Sequence, residues 1–215
     1  MNYIQLDFAP EELGFVPQDN GTIDKYERDH PDSVRRAPFR RPIGNLLLPE
    51  GIKFRAQSKF TDMLCLIPVH FPFLVVSDRF LDIILRFRLP EPEIFRPLPV
   101  YKRSKRVDYN VIIANRHFPE YVVFNHTEVI KKEHFTGKTE SFYLNSPEEF
   151  RRLGAEIDLA KEYLTLYNFQ LNTSAIQHDL FLLPPSCGIA NYIVSEAFVA
   201  AVREAKLTGI AFRPI

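Results

Sequence analysis

The chain has 215 residues, 46% of them hydrophobic, with 19 Phe, 9 Tyr and no Trp. That is enough apolar side chain for a sizeable core, and it excludes a chain disordered throughout. Lys plus Arg and Asp plus Glu come to 27 each, so bulk charge points neither to nucleic acid nor to an anionic membrane.

Tyr3-Ile4-Gln5-Leu6 is a candidate first strand. From about Phe8 to Gly51 the chain is rich in Pro, Asp and Arg and has little periodicity, which predicts a long irregular segment laid on the surface. Its basic cluster, Arg35, Arg36, Arg40 and Arg41, reads as a solvated loop, with a phosphate or partner contact as the alternative. Lys59 to Leu64 leads into an apolar tract, with Thr61 or Asp62 able to cap a short turn and Pro68 and Pro72 breaking any continuous element. Val75-Val76 predicts a buried strand, and Ser77 is placed to cap the helix that follows. Phe80, Ile83, Ile84 and Phe87 give that helix one apolar stripe, and Pro90 and Pro92 stop it. Lys102-Arg103-Ser104-Lys105-Arg106 lies between two apolar runs, which predicts a hairpin tip; a nucleic-acid contact is the weaker reading.

Val107 to Val111 and Tyr121 to Phe124 predict strands, with a turn from Asn115 to Glu120 between them. Ser141 to Leu144 predicts another. Ser146-Pro147-Glu148-Glu149 is a capping box with Pro at the first helical position, so a helix runs on through Phe150, Leu153 and Ile157. Gly154 weakens that helix and leaves its end between Ile157 and Glu162. Leu164 to Phe169 and Asp179 to Leu183 are strand-like, and Pro184-Pro185 ends the latter. Ile193-Val194-Ser195-Glu196 then repeats the strand-to-cap pattern, with Phe198, Ala201, Val202 and Ala205 on one helical face and Gly209 as the stop.

That last pattern is a second copy. Leu74-Val75-Val76-Ser77-Asp78-Arg79-Phe80 is followed by a helical stretch and Phe95-Arg96-Pro97-Leu98. Tyr192-Ile193-Val194-Ser195-Glu196-Ala197-Phe198 is followed by a helical stretch and Phe212-Arg213-Pro214-Ile215. The serines are 118 apart (195 − 77) and the Arg-Pro pairs 117 apart (213 − 96). Asp78 and Glu196 both sit where a helix dipole favours an acid, and each Arg-Pro predicts a strand end or an edge. Two pseudo-repeated strand–helix–strand units, near 73–98 and 191–215, are therefore expected.

Few residues promise chemistry. Ser77 and Ser195 lack the flanking glycines of a nucleophile elbow, and duplication suits capping. Cys187 with His178 is the one candidate nucleophile–base pair, without a cysteine-hydrolase spacing. Cys65 and Cys187 make neither a metal-like pair nor a disulfide framework. The histidines (His30, His70, His117, His126, His134, His178) are scattered, and there is no glycine-rich phosphate loop. No catalytic residue, metal or cofactor is expected. Met1 to Pro10 has no secretion-signal pattern, and no stretch reaches the roughly 18 apolar residues of a membrane span, so a soluble cytoplasmic protein is expected.

The tract Phe60-Thr61-Asp62 … Val75-Val76-Ser77-Asp78-Arg79-Phe80 resembles a family of bacterial immunity proteins from polymorphic-toxin systems, first defined on a myxobacterial protein. So do the strand around Tyr109 to Ile113 and the ending Ile193-Val194-Ser195-Glu196 … Leu207-Thr208-Gly209-Ile210-Ala211-Phe212-Arg213-Pro214-Ile215. Members close with a Val-Ser-Glu, a helix, a Leu-Thr-Gly and a terminal aromatic-x-Pro. The resemblance covers about residues 58–130 and 178–215 and leaves the first 55 unmatched. It implies a non-enzymatic protein that binds and neutralises a cognate toxin, the product of a neighbouring gene, with no nucleic acid or membrane partner. A small hydrolase using Cys187 and His178, or a scaffolding module, are the alternatives.

The fold expected is α+β: a mixed, largely antiparallel sheet with helices starting near Asp78, Pro147 and Glu196, in a single compact domain over 1–215 with residues 1–55 irregular. The segment from 8 to 50 is the expected part of the binding surface, because specificity tends to reside in irregular loops.

Overall fold

Ser77 and Ser195 each end a strand and begin a helix. Both take extended backbone angles, and their hydroxyl oxygens accept from the N–H of Phe80 and Phe198, three residues on. An orphan donor in each first turn is thereby satisfied. In this computed structural model the described residues are 2–14, 18–23, 48–66, 73–114, 118–133, 135–158, 161–183 and 192–215, with backbone alone for 19–23 and 114. The strands are β1 (Tyr3–Phe8), β2 (Asp19–Ile23), β3 (Gly51–Phe54), β4 (Phe73–Val76), β5 (Pro92–Lys102), β6 (Lys105–Ala114), β7 (Glu128–Glu133), β8 (Thr139–Tyr143), β9 (Glu162–Tyr167), β10 (Leu180–Leu182), β11 (Tyr192–Ser195) and β12 (Ile210–Pro214). The helices are α1 (Pro10–Leu13), α2 (Asp78–Ile84), α3 (Pro147–Glu156) and α4 (Glu196–Glu204).

Three sheets result, ordered β10-β11-β1-β12, β2-β3-β5-β6-β4 and β8-β7-β9. All pairings are antiparallel except β3 with β5. The class is α+β. Strands β4 and β5 both run antiparallel to β6, so they are parallel to each other, joined by α2 and separated by β6. Strands β11 and β12 stand in the same relation to β1 and α4. The inserted strand differs in origin. β6 follows β5 through a tight turn in which Arg103 takes a positive φ of 56°, whereas β1 comes from the beginning of the chain.

The helix pair lies where the two larger sheets meet. One core cluster joins Phe80, Ile83 and Ile84 of α2 and Phe198, Val199 and Val202 of α4 to Leu6, Leu180 and Val194 of the first sheet and Leu74, Val76 and Ile112 of the second. Phe80 and Phe198 have ring centroids 6.2 Å apart, and Phe87 meets Phe198 edge-on at 5.1 Å. The opposite face of the first sheet puts Tyr3, Phe181 and Ile193 into a second cluster with Val129, Phe150 and Leu166. The far face of the second sheet packs Val75, Val111 and Ile113 with Ile52, Leu98 and Val100.

Several expectations are corrected. Tyr121 to Phe124 is not a strand. Two 3-10 turns, Pro119–Tyr121 and Phe124–His126, flank a single bridge from Val122 to Leu171. Tyr121, Val122 and Phe124 are all buried, so they lack the alternation of a half-exposed strand. Helix α2 stops at Ile84, well before Pro90, as Arg86 and Phe87 donate to the carbonyls of Ile83 and Ile84. Gly209 does not end α4. Lys206 takes the left-handed position (φ 51°), and the bonds Leu207 N–H to Val202 O and Lys206 N–H to Arg203 O close a Schellman motif. Gly209 instead serves the next turn, at φ 81°.

The segment expected to be irregular before residue 55 contains α1, β2 and β3. Part of it is core. Gln18 is fully buried; its amide donates to Lys59 O (2.6 Å), its side-chain oxygen accepts from Cys65 N–H (2.8 Å), and its carbonyl accepts from Ser58 Oγ (2.6 Å). Arg35, Arg36, Arg40 and Arg41 lie outside the described residues.

Candidate functional site

Two aspartates tie the strand–helix units together. The Asp62 carbonyl accepts from Ser77 N–H at 2.8 Å, and the Asp179 carbonyl accepts from Ser195 N–H at 2.8 Å. Each carboxylate then reaches the chain that leaves the other unit's helix. Asp62 accepts from Thr208 N–H (2.9 Å) and Thr208 Oγ (3.0 Å) beyond α4, while Ser77 Oγ donates to its other oxygen (2.7 Å). Asp179 accepts from Arg88 N–H (3.2 Å) and Arg88 Nε (2.9 Å) beyond α2. The hydrogen bond from the Arg88 guanidinium holds the Asp179 carboxyl below its ordinary range, with the Ser195 hydroxyl adding to the effect. These two buried carboxylates are occupied by caps and crossings.

Cys187 lies outside the described residues. His178 sits beside the second core cluster, 4.9 Å from the Phe118 ring centroid, with Nδ1 2.9 Å from the Tyr121 hydroxyl. That hydroxyl also lies 3.4 Å from Gln177 N–H, which donates to it. The arrangement orients an aromatic cluster with Phe181, whose ring is edge-on to Tyr121 at 5.1 Å. Among the described residues no three His, Cys, Asp or Glu side chains gather as a metal site.

The basic hairpin tip is largely committed to its own surroundings. Lys102 Nζ donates to Ser58 O (2.6 Å), Lys105 lies 5.2 Å from the Phe60 ring centroid, and Arg106 pairs with Asp108 (2.8 Å).

The surface that stands out is the outer face of the third sheet, which sequence reasoning missed. Alternation along β7 sends Val129 inward, where it pairs with Phe142 and Leu166 over Phe150. Glu128, Ile130 and Lys132 therefore face outward. Glu128 stands between Tyr143 and Tyr167, which are 66% and 54% exposed. Ile130 stands between Ser141 and Thr165, and Lys132 between Thr139 and Tyr163. Beyond β7, Phe135 is 88% exposed. The face thus carries three tyrosines, one isoleucine and hydroxyl residues, with one acid and one base. The signal was present as Tyr143, Tyr163 and Tyr167, but it needed β7, whose Glu-Val-Ile-Lys-Lys-Glu reads as too charged for a central strand.

No family model matches the chain, and a comparison with curated proteins finds no match.

Proposed function

We propose that this protein is an immunity protein. It binds a toxin domain encoded beside it, in the cytoplasm, and silences that toxin by occupying its surface, with no chemistry of its own. The observation that carries this reading is the outer face of the β8-β7-β9 sheet. Tyr143 and Tyr167 stand exposed on rigid strands, and tyrosine is the kind of large, low-entropy side chain that anchors protein interfaces. The resemblance of residues 58–130 and 178–215 to toxin-neutralising proteins agrees with it. Three strands about 4.8 Å apart and about 17 Å long offer on the order of 240 Å², against the ~800 Å² per partner of a stable complex. The face is accordingly the centre of a larger footprint that takes in Phe135 at the β7–β8 connection.

No helix among the described residues is long and apolar enough to cross a membrane. Calorimetric titration of the purified protein with the neighbouring gene's product tests the reading. A one-to-one complex that inhibits the toxin and is lost in Tyr143→Ala/Tyr167→Ala is expected. A tight complex unaffected by that pair would move the site elsewhere, and the absence of any complex would overturn the function.

A further inference from the structure

Of the edge strands whose side chains are described, most are closed to further pairing. All three residues of β10 are buried, β12 contains Pro214, and β4 is met by Met63 and Leu64, with Leu64 N–H donating to Val75 O. Cover and proline are two ways in which a sheet edge is kept from pairing. Strand β8 has neither. It pairs with β7 over five residues without a shift in register, and Thr139, Glu140, Ser141 and Tyr143 are exposed. Glu133 N–H donates to Lys138 O, which sets the parity of the hairpin. Glu140 and Phe142 therefore exchange bonds with Lys131 and Val129, and the N–H and C=O groups of Thr139, Ser141 and Tyr143 point away from β7. Among the described residues no hydrogen bond to these groups is formed. On β9, the opposite edge of the sheet, the same parity turns the backbone of Leu164 and Leu166 away from β7, but both residues are buried.

We propose that the toxin domain adds an extended segment to β8 as a fourth strand of this sheet. The inference rests on the toxin-neutralising reading and gives it a binding mode. The outer face alone offers on the order of 240 Å² of the ~800 Å² that a stable complex needs from each partner. Tyr143 belongs to both surfaces: its side chain stands on the outer face and its backbone on the open edge. A partner strand on β8 thus extends the contact from the face round the edge, and main-chain bonds supply affinity while alternate side chains supply specificity. The charges specify that strand further. Lys131, the cross-strand neighbour of Glu140, is held by Glu162 at 2.8 Å on the other side. Glu140 is left to the added strand and selects Lys or Arg opposite it. A second copy of this chain fits less well. Pairing β8 with β8 about Ser141, the register that uses all of the outward groups, sets two Glu140 side chains diagonally across one face, like charges within reach of each other.

The test is amide hydrogen exchange, read by NMR on the full chain alone and with the neighbouring gene's product. Alone, Thr139, Ser141 and Tyr143 are expected to be protected at least tenfold less than Glu140 and Phe142. Equal protection at all five would show the edge already paired within the chain and would overturn the proposal. In the complex, protection of Thr139, Ser141 and Tyr143 should rise at least tenfold. A complex in which these amides keep their free rates would overturn the strand addition and leave the toxin-neutralising reading standing; no complex at all would overturn both. Protection that rises with the concentration of this protein alone would give the edge to a second copy and overturn the toxin as its occupant. Ser141→Pro removes one outward N–H at a position outside the β7 ladder, where proline is tolerated. It should weaken the complex at least tenfold with Glu140 and Phe142 still protected, while Ser141→Ala stays within threefold of wild type. Equal affinities of the two variants would overturn the proposal.

Discussion

Asp179 is held by Arg88 and by the Ser195 hydroxyl, and its depressed titration has a consequence for acid stability. A carboxyl whose folded pKa lies below its unfolded value stabilises the fold fully above the unfolded value, 3.8, and loses that contribution as pH falls through the folded one. Asp179→Asn is therefore expected to be less stable than wild type at pH 7, with the gap closing between pH 4 and the acid limit. Urea denaturation of both proteins across that range checks it; a gap that widens in acid would contradict the assignment. The caps give a second expectation: Ser195→Ala and Ser77→Ala should each cost about 1–2 kcal/mol, because each hydroxyl both caps its helix and meets an aspartate. Gly209 is stricter. At φ 81° an added Cβ would lie 2.4 Å from Met63 O and 2.8 Å from Thr61 Cβ, so Gly209→Ala should cost upwards of about 2 kcal/mol, measured the same way.

At the level of elements, α2 and α4 are the seam between the two larger sheets, and Phe80 and Phe198 are the contact across it. A double-mutant cycle with Phe80→Leu and Phe198→Leu is expected to give a coupling of about 0.5–1.5 kcal/mol in equilibrium unfolding. Strictly additive losses would mean that the helices do not share a core. The two helices were legible in the sequence, because Ser77 and Ser195 announce the caps and the spacing of Phe80, Ile83 and Ile84 announces a buried face; their packing on each other between two sheets was not, since it joins residues more than a hundred positions apart. The capping box at Ser146 was equally plain: its hydroxyl accepts from Glu149 N–H, although the Glu149 carboxylate reaches back to Asn145 rather than to Ser146 itself. Strand β7 was not legible, since four of its six residues are charged and one of its two neighbours, β9, pairs with it from 29 to 39 residues further on (162 − 133, 167 − 128). Lys131 is drawn into the sheet by Glu162 at 2.8 Å, a pairing that no local pattern reveals. Tyr121 to Phe124 failed for the opposite reason. Its apolar run has strand composition, but all its large side chains are taken by one cluster.

For the molecule as a whole, the account rests on a division of labour. The polar groups between the units are spent on holding α2, α4 and the two larger sheets together, and the third sheet offers an aromatic outer face. That face bears one acid and one base, so its binding should depend weakly on salt, with the association constant changing by less than about threefold between 50 and 500 mM salt. Tyr143→Ala and Tyr167→Ala should each weaken the complex by about tenfold or more without moving the melting temperature, because both side chains are exposed. The most direct measurement is growth of a host expressing the neighbouring gene's toxin domain, with and without this protein. The account predicts that wild type rescues growth, while a stably folded Tyr143→Ala/Tyr167→Ala variant rescues it poorly. A toxin that kills equally well in the presence of the wild-type protein would contradict it.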